Sequence, residues 1–212
     1  MEVLSQKGQY EKGGIGKWFR DFRDHKIFSL IKENCHRLID LGCGAGITLE
    51  KLAMQFPEKK CVGIDLGKEN LATCRSSRLP VVCGDVCQLG LKKESADCCL
   101  LLDVIEHLTL PEKVLEEIFR ILKPGGTLIL IFPNDRTFFL ARLFFFKFKE
   151  AFYDAGHVKQ WHPKEMKSLL REKGFHIDHS MNLPLFLWPI SLYHLIQARK
   201  EAIENRRDRS WV

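Results

Sequence analysis

Residues 38–53, LIDLGCGAGITLEKLA, join an apolar strand to an amphipathic helix through a turn with glycine at every second position, Gly42, Gly44 and Gly46. Glycine is needed where the backbone must take φ > 0, or where something approaches it too closely for a Cβ. Three glycines in five residues point to a ligand lying against the turn. A tight strand-to-helix connection without a ligand is the plainer alternative.

The rest of the chain repeats that strand-then-helix unit. RLIDL (37–41), CVGID (61–65), VVCGD (81–85), DCCLLLD (97–103) and TLILIF (127–132) are predicted strands. The fourth is a nearly continuous apolar run, as expected where both sheet faces are covered. Between them, Leu49, Leu52, Ala53 and Phe56 follow helical spacing, and Pro57 stops that helix. A second helix spans about Glu69 to Arg75, and Pro111 opens a third carrying Val114, Leu115, Ile118, Phe119 and Leu122. Lys123–Gly126 is predicted as a turn. Pro163 begins a helix with Met166, Leu169 and Leu170 inward and Gly174 as its stop. FHIDHSM (175–181) alternates like a late strand, and Leu192 to Arg199 fits either a terminal strand or an amphipathic helix. Ahead of all of these, GIGKWFRDFRDHKIFSLIKE is predicted as a helix offering Trp18, Phe22, Ile27 and Leu30 as apolar contacts. Strands alternating with helices imply an α/β fold, a Rossmann-like, doubly wound and mostly parallel sheet of six or seven strands with helices on both faces. The 212 residues are expected to form a single domain, with residues 1–36 as an N-terminal helical cap and 135–160 as a lid insertion over the site.

Eight cysteines raise the question of a metal or disulfide scaffold. Cys43, Cys61, Cys83, Cys98 and Cys99 lie in or beside apolar runs, where cysteine acts as a small hydrophobe, and no CxxC pair occurs. The N-terminus lacks the apolar core of a signal peptide, so a reduced, cytoplasmic protein is expected. Met181 to Ala198 contains no Asp, Glu, Lys or Arg, but Pro184, Pro189, Asn182, His194 and Gln197 argue against a membrane span. The net charge of +6 is mild and is most simply solvated.

In doubly wound sheets ligands bind beyond the carboxyl ends of the strands, near the point where strand order reverses. Polar residues fall in those places: Asp40 and the glycines after the first strand, Asp65 ending the second, Asp85 ending the third, then Asp103, Glu106 and His107 after the fourth. A G-x-G-x-x-G dinucleotide loop is absent, because Ile47 occupies the third glycine position, and no G-x-x-x-x-G-K-[ST] loop occurs. The ligand should therefore lack a pyrophosphate. Asp65, nineteen residues after Gly46, still suits a ribose diol, since a carboxylate accepts two hydroxyl donors.

With LIDLGCGAG, VGIDLGKENL, GDVCQL, LLDVIEHL, RILKPGGTLILIFPN and GHVKQWHPKEMKSLLREKGF in that order, residues 36–180 resemble the class I S-adenosylmethionine-dependent methyltransferases, particularly the ubiquinone-pathway-like type 11 group. The resemblance implies S-adenosyl-L-methionine as cofactor and S-adenosyl-L-homocysteine as product. It places Gly42, Cys43, Gly44 and Gly46 behind the methionine part, Asp65 on the ribose and Asp85 at the adenine amino group. Leu66 and Val86 would lie on the ring faces, Asp40 beneath the loop and Asp103 near the methionyl end. His107, Glu106 and His157 are the catalytic candidates, should the acceptor need to lose a proton. The run DVIEH is also similar to an E-x-x-E-H arrangement that binds a divalent cation in some quinone-pathway and RNA-end methyltransferases. Here Asp103 replaces the first glutamate, and no metal is expected.

The expected function is methyl transfer by in-line displacement to a small-molecule, hydrophobic or lipid-linked acceptor. Seven of the fifteen phenylalanines fall within 137–153, interrupted by Arg142, Lys147 and Lys149, which suggests an apolar roof and transient contact with a membrane surface. Two other classes fit the sequence less well. One is a nucleic-acid or protein methyltransferase docking through the basic N-terminal helix, disfavoured by the missing Asn/Asp-Pro-Pro-aromatic motif. The other is a non-catalytic cofactor-binding regulator, disfavoured by the intact loop and acids.

Overall fold

The computed structural model describes residues 15–137 and 156–201. Helix α1 (Ile15–Ser29) precedes β1 (Arg37–Leu41), α2 (Ile47–Gln55), β2 (Lys60–Asp65), α3 (Lys68–Ser76), β3 (Val81–Cys83) and β4 (Ala96–Leu102). There follow α4 (Pro111–Ile121), β5 (Leu122–Pro133), α5 (Pro163–Glu172), β6 (Phe175–Leu183) and β7 (Tyr193–Lys200). The strands form one sheet in the order β3-β2-β1-β4-β5-β7-β6. The first five run parallel to one another, and β7 runs antiparallel to both β5 and β6. Strand order reverses between β1 and β4, as the doubly wound reading expects.

Side-chain alternation divides the core in two. Cys99 and Leu101 of β4 and Leu128 and Leu130 of β5 pack with Val114, Leu115 and Ile118 of α4 and Met166 and Leu170 of α5. Cys98, Leu100, Ile129 and Ile131 point to the other face, under Ile27 and Phe28 of α1 and Leu49 and Leu52 of α2. A period of two puts successive residues of a strand on opposite faces, so both halves of the apolar run in β4 are used. The C-terminal segment is resolved as β7, paired along its length with β5.

Three expectations change. Trp18 is 63% exposed, because the buried stripe of α1 runs through Arg23, Asp24, Ile27 and Phe28 instead. Cys83 is exposed on the edge strand β3, whereas Cys35 and Cys74 join the buried thiols, and all eight cysteines are free. Residues 123–126 belong to β5 as a register shift: Ala96 faces Leu122, while Cys98 faces Thr127. Leu169 packs, half-buried, against the core beside Met166 and Leu170 of α5, in keeping with its expected inward face. Among the described residues no helix is long and apolar enough to cross a membrane, and the uncharged Met181–Ala198 stretch is the end of β6, a loop and most of β7. The Phe-rich 137–153 segment, beyond Thr137 itself, and the basic tail after Glu201 lie outside the described residues.

Candidate functional site

The glycine turn lies at the carboxyl end of β1, with Gly42, Gly44 and Gly46 all at positive φ. Two of them answer to the protein itself. A Cβ on Gly42 would come within 2.5 Å of Val104, and one on Gly46 within 2.7 Å of Cys74 and Leu79. Gly46 precedes α2 directly and lets that helix start close to α3, the role the third glycine of a dinucleotide loop plays one residue later. Cys43 is buried, its Sγ the nearest neighbour of a Cβ built on Gly63.

Asp65 ties two loops together. Its Oδ2 accepts from Gly44 N at 2.8 Å, and its Oδ1 accepts from Gly67 N at 2.7 Å and Asn70 Nδ2 at 3.3 Å. Asp40 lies beneath, 2% exposed; burial, followed by repulsion from Asp65, raises its pKa to about 7. Asp85 is exposed and accepts from Cys87 N at 2.8 Å, a local turn. Leu66 is 63% exposed on the rim, whereas Val86 is buried in the core.

Asp103 follows β4 at φ 55, and Arg23 Nη1 of α1 donates to its Oδ2 at 2.7 Å. The same guanidinium meets Asp24 at 3.3 Å, and Lys51 Nζ of α2 meets the other Asp24 oxygen at 2.6 Å. This network escaped the sequence reading. Its signal was present: Arg23 and Asp24 stand one turn before Ile27 and Phe28, on the stripe that buries.

Past Asp103 the chain makes a single 3₁₀ turn, Ile105–His107. It brings Glu106 and His107 to His157, with ligand-capable atoms of all three within 4.8 Å of one another. His157 Nδ1 pairs with Asp135 Oδ1 at 2.8 Å, and His107 Nδ1 meets the carbonyl of Gly156 at 3.1 Å. A carbonyl only accepts, so His107 carries a proton on Nδ1; when the rings are neutral, both Nε2 atoms are left with lone pairs. Glu106 is 2% exposed; burial first, then Asp103 and Asp135, raise its pKa to about 8. The two histidines can take protons from a bound molecule, and the three side chains together can hold a divalent cation. Asp103 is turned to Arg23 and is not among them. Asp135, which orients His157, was not anticipated.

Three carboxylate oxygens at this edge, Asp40 Oδ2, Asp103 Oδ1 and Glu106 Oε2, are buried without a hydrogen-bond partner among the described residues. Such groups are costly unless something satisfies them. A family model described as a methyltransferase domain, of the type 11 group, matches residues 39–130. Residues 39–130 are a type 11 methyltransferase domain, of the class I S-adenosylmethionine-dependent kind. S-adenosylmethionine is the cofactor of that family, and a cationic molecule with a ribose diol fits a rim that offers Asp65 and unpartnered carboxylate oxygens.

A probable S-adenosylmethionine-dependent methyltransferase of Mycolicibacterium smegmatis is 25% identical over 170 residues, 78% of this chain and 62% of that protein. The chloroplastic 2-methyl-6-phytyl-1,4-hydroquinone methyltransferase of Arabidopsis thaliana is 28% identical over 134 residues, 61% of this chain and 40% of that one. The chain thus spans less than two thirds of either relative's length. A methyltransferase from Archaeoglobus fulgidus superposes with a TM-score of 0.68 at 18% identity, over 87% of this chain and 97% of its own; that likeness speaks to the fold.

Proposed function

We propose that the chain transfers the methyl group of S-adenosylmethionine to a small, hydrophobic or lipid-linked acceptor held beside Glu106, His107 and His157. The observation that carries this is the row of unpartnered buried carboxylate oxygens at the carboxyl edge, next to two histidines whose Nδ1 atoms are already engaged. Asp65 would hold the ribose, with Asp85 at the adenine, Leu66 and Val86 flanking the ring, and Gly42, Cys43, Gly44 and Gly46 backing the methionine part. Asp40 and Asp103 would face its cationic end. When bound, the cofactor supplies an electrophilic methyl on a cationic sulfur that leaves as a neutral thioether. Proximity and alignment then do most of the work.

His157, oriented by Asp135, is the best-placed proton acceptor at Nε2 if the acceptor is a hydroxyl or amine, and His107 Nε2 stands beside it. Glu106, with its pKa near 8, is a neutral acid at pH 7 and can return a proton. The hydrophobic character of the acceptor is supported by the name of the plant relative, which specifies a phytyl hydroquinone. Docking of a nucleic acid on α1 has less support, because Arg23 is buried against Asp24 and Asp103 and Lys17 pairs with Asp21 at 2.5 Å.

Incubation with methyl-tritiated S-adenosylmethionine and fractionated lipid and aqueous extracts tests the reading. Label is expected in the organic phase, and turnover is expected to persist in EDTA. Label in protein or nucleic acid alone would contradict the acceptor class. Turnover abolished by EDTA and restored by Mg²⁺ or Mn²⁺ would make Glu106, His107 and His157 cation ligands.

A further inference from the structure

The loop from β6 to β7 is tied down and yet turns its apolar side chains to solvent. Leu185 is 46% exposed, Phe186 94% and Leu187 66%. Side chains bind four of the loop's carbonyls. Asn182 Nδ2 donates to Phe186 O at 2.5 Å, Asn134 Nδ2 to Trp188 O at 2.7 Å, Thr137 Oγ1 to Pro189 O at 3.2 Å, and Ser191 Oγ to Leu185 O. The anchoring continues inward. Because the amide of Asn182 is committed to Phe186 O, its Oδ1 must accept, from His194 Nδ1 at 2.5 Å, and His194 Nε2 then accepts from Ser180 Oγ at 2.9 Å. Burial, helped by Lys167 and His162, lowers the His194 pKa to about 4, so this chain of bonds holds at neutral pH. These donors fix a loop whose outermost side chain, Phe186, is almost wholly exposed.

Beside the tip is a cavity of about 390 Å³, walled by Phe186, Trp188 and Met181 and by the first turns of α5 with Lys164 and Lys167. None of its ten lining residues is acidic. Neither lysine has a carboxylate partner among the described residues. An apolar tip beside unpaired cations matches an anionic bilayer surface, where aromatic groups enter the acyl boundary and ammonium groups stay at phosphate level.

We propose that this loop and cavity dock the protein on an anionic lipid surface, with Phe186 between Leu185 and Leu187 entering the interface and a lipid phosphate between Lys164 and Lys167. This assignment uses none of the residues given to cofactor or acceptor, so it stands or falls apart from the methyl-transfer reading.

The test is sedimentation of the full chain with phosphatidylglycerol or phosphatidylcholine vesicles. Binding to phosphatidylglycerol alone is expected. Lys164→Gln/Lys167→Gln should weaken it roughly 30-fold, since each lysine near an anionic surface is worth about fivefold. Phe186→Ser should weaken it roughly tenfold. All three side chains reach solvent, so unchanged thermal midpoints and S-adenosylmethionine affinity would show that the variants remain folded. Equal binding to both lipids, no binding, or undiminished binding by both variants would overturn the proposal. Full competition by inorganic phosphate would do so too, by placing a soluble phosphate in the cavity.

Discussion

Asp65→Ala is expected to weaken S-adenosylmethionine and S-adenosylhomocysteine alike, by roughly 10- to 100-fold, as the loss of one charge-assisted hydrogen bond of about 1.5–3 kcal/mol implies. Both ligands carry the ribose and only one carries the sulfonium, so an equal loss separates a diol contact from a charge contact. The structure adds a second route to the same loss. Asp65 also receives Gly44 N and Gly67 N, so its removal frees two loop amides that line the site. Asp65→Asn keeps an acceptor for one of them and should recover part of the affinity. Isothermal calorimetry of the three proteins decides the matter. Wild-type affinity in the alanine variant would remove Asp65 from the cofactor site.

Arg23→Met should cost on the order of 3 kcal/mol of stability, the effect of breaking a buried ion pair from one side. Arg23 and Asp24 are 5% and 3% exposed, and the guanidinium joins Asp24 to Asp103. Methionine fills similar volume but takes the guanidinium from Asp103 and leaves Asp24 to Lys51. The exposed Lys17–Asp21 pair gives the contrast. Lys17→Ala should stay within about 0.5 kcal/mol, because exposed pairs are screened and entropically costly. Urea denaturation of both variants measures the difference. Since Arg23 also fixes Asp103 at the end of β4, cofactor affinity should fall with it. Equal midpoints for Arg23→Met and the wild type would mean that α1 is held by its apolar contacts alone.

The parallel strands were legible because each is a short apolar run closed by a turn, and the two faces of β4 explain why its run is unbroken. Leu192–Arg199 was not, since a covered strand and a helix face look alike over eight residues. The face of α1 was misjudged for a different reason. Its buried stripe contains an arginine and an aspartate that are tolerable only together and only against Asp103, a partner 80 residues away. In the site, acids at successive strand ends located the carboxyl edge. Spacing alone did not show that Gly42 and Gly46 are required by Val104 and by Cys74 and Leu79. The link from Asp135 to His157 also depends on how β5 ends, which no local pattern reveals.

The pH dependence of binding tests whether the cationic cofactor lies over Asp40, a carboxyl whose ionisation burial opposes. Its pKa near 7 lies above the ordinary aspartate value, so between about pH 4 and pH 7 the folded protein binds a proton that the unfolded chain does not, and stability falls as pH rises through that window. A bound cation favours the ionised form, so binding should release a proton and tighten as pH rises, levelling off above pH 7. Calorimetry of S-adenosylmethionine in buffers of different ionisation enthalpy, between pH 6 and 7.5, should show roughly tenfold tighter binding at the upper end, with proton release greatest at the lower. Affinity independent of pH, with no proton exchanged, would contradict a cation above Asp40.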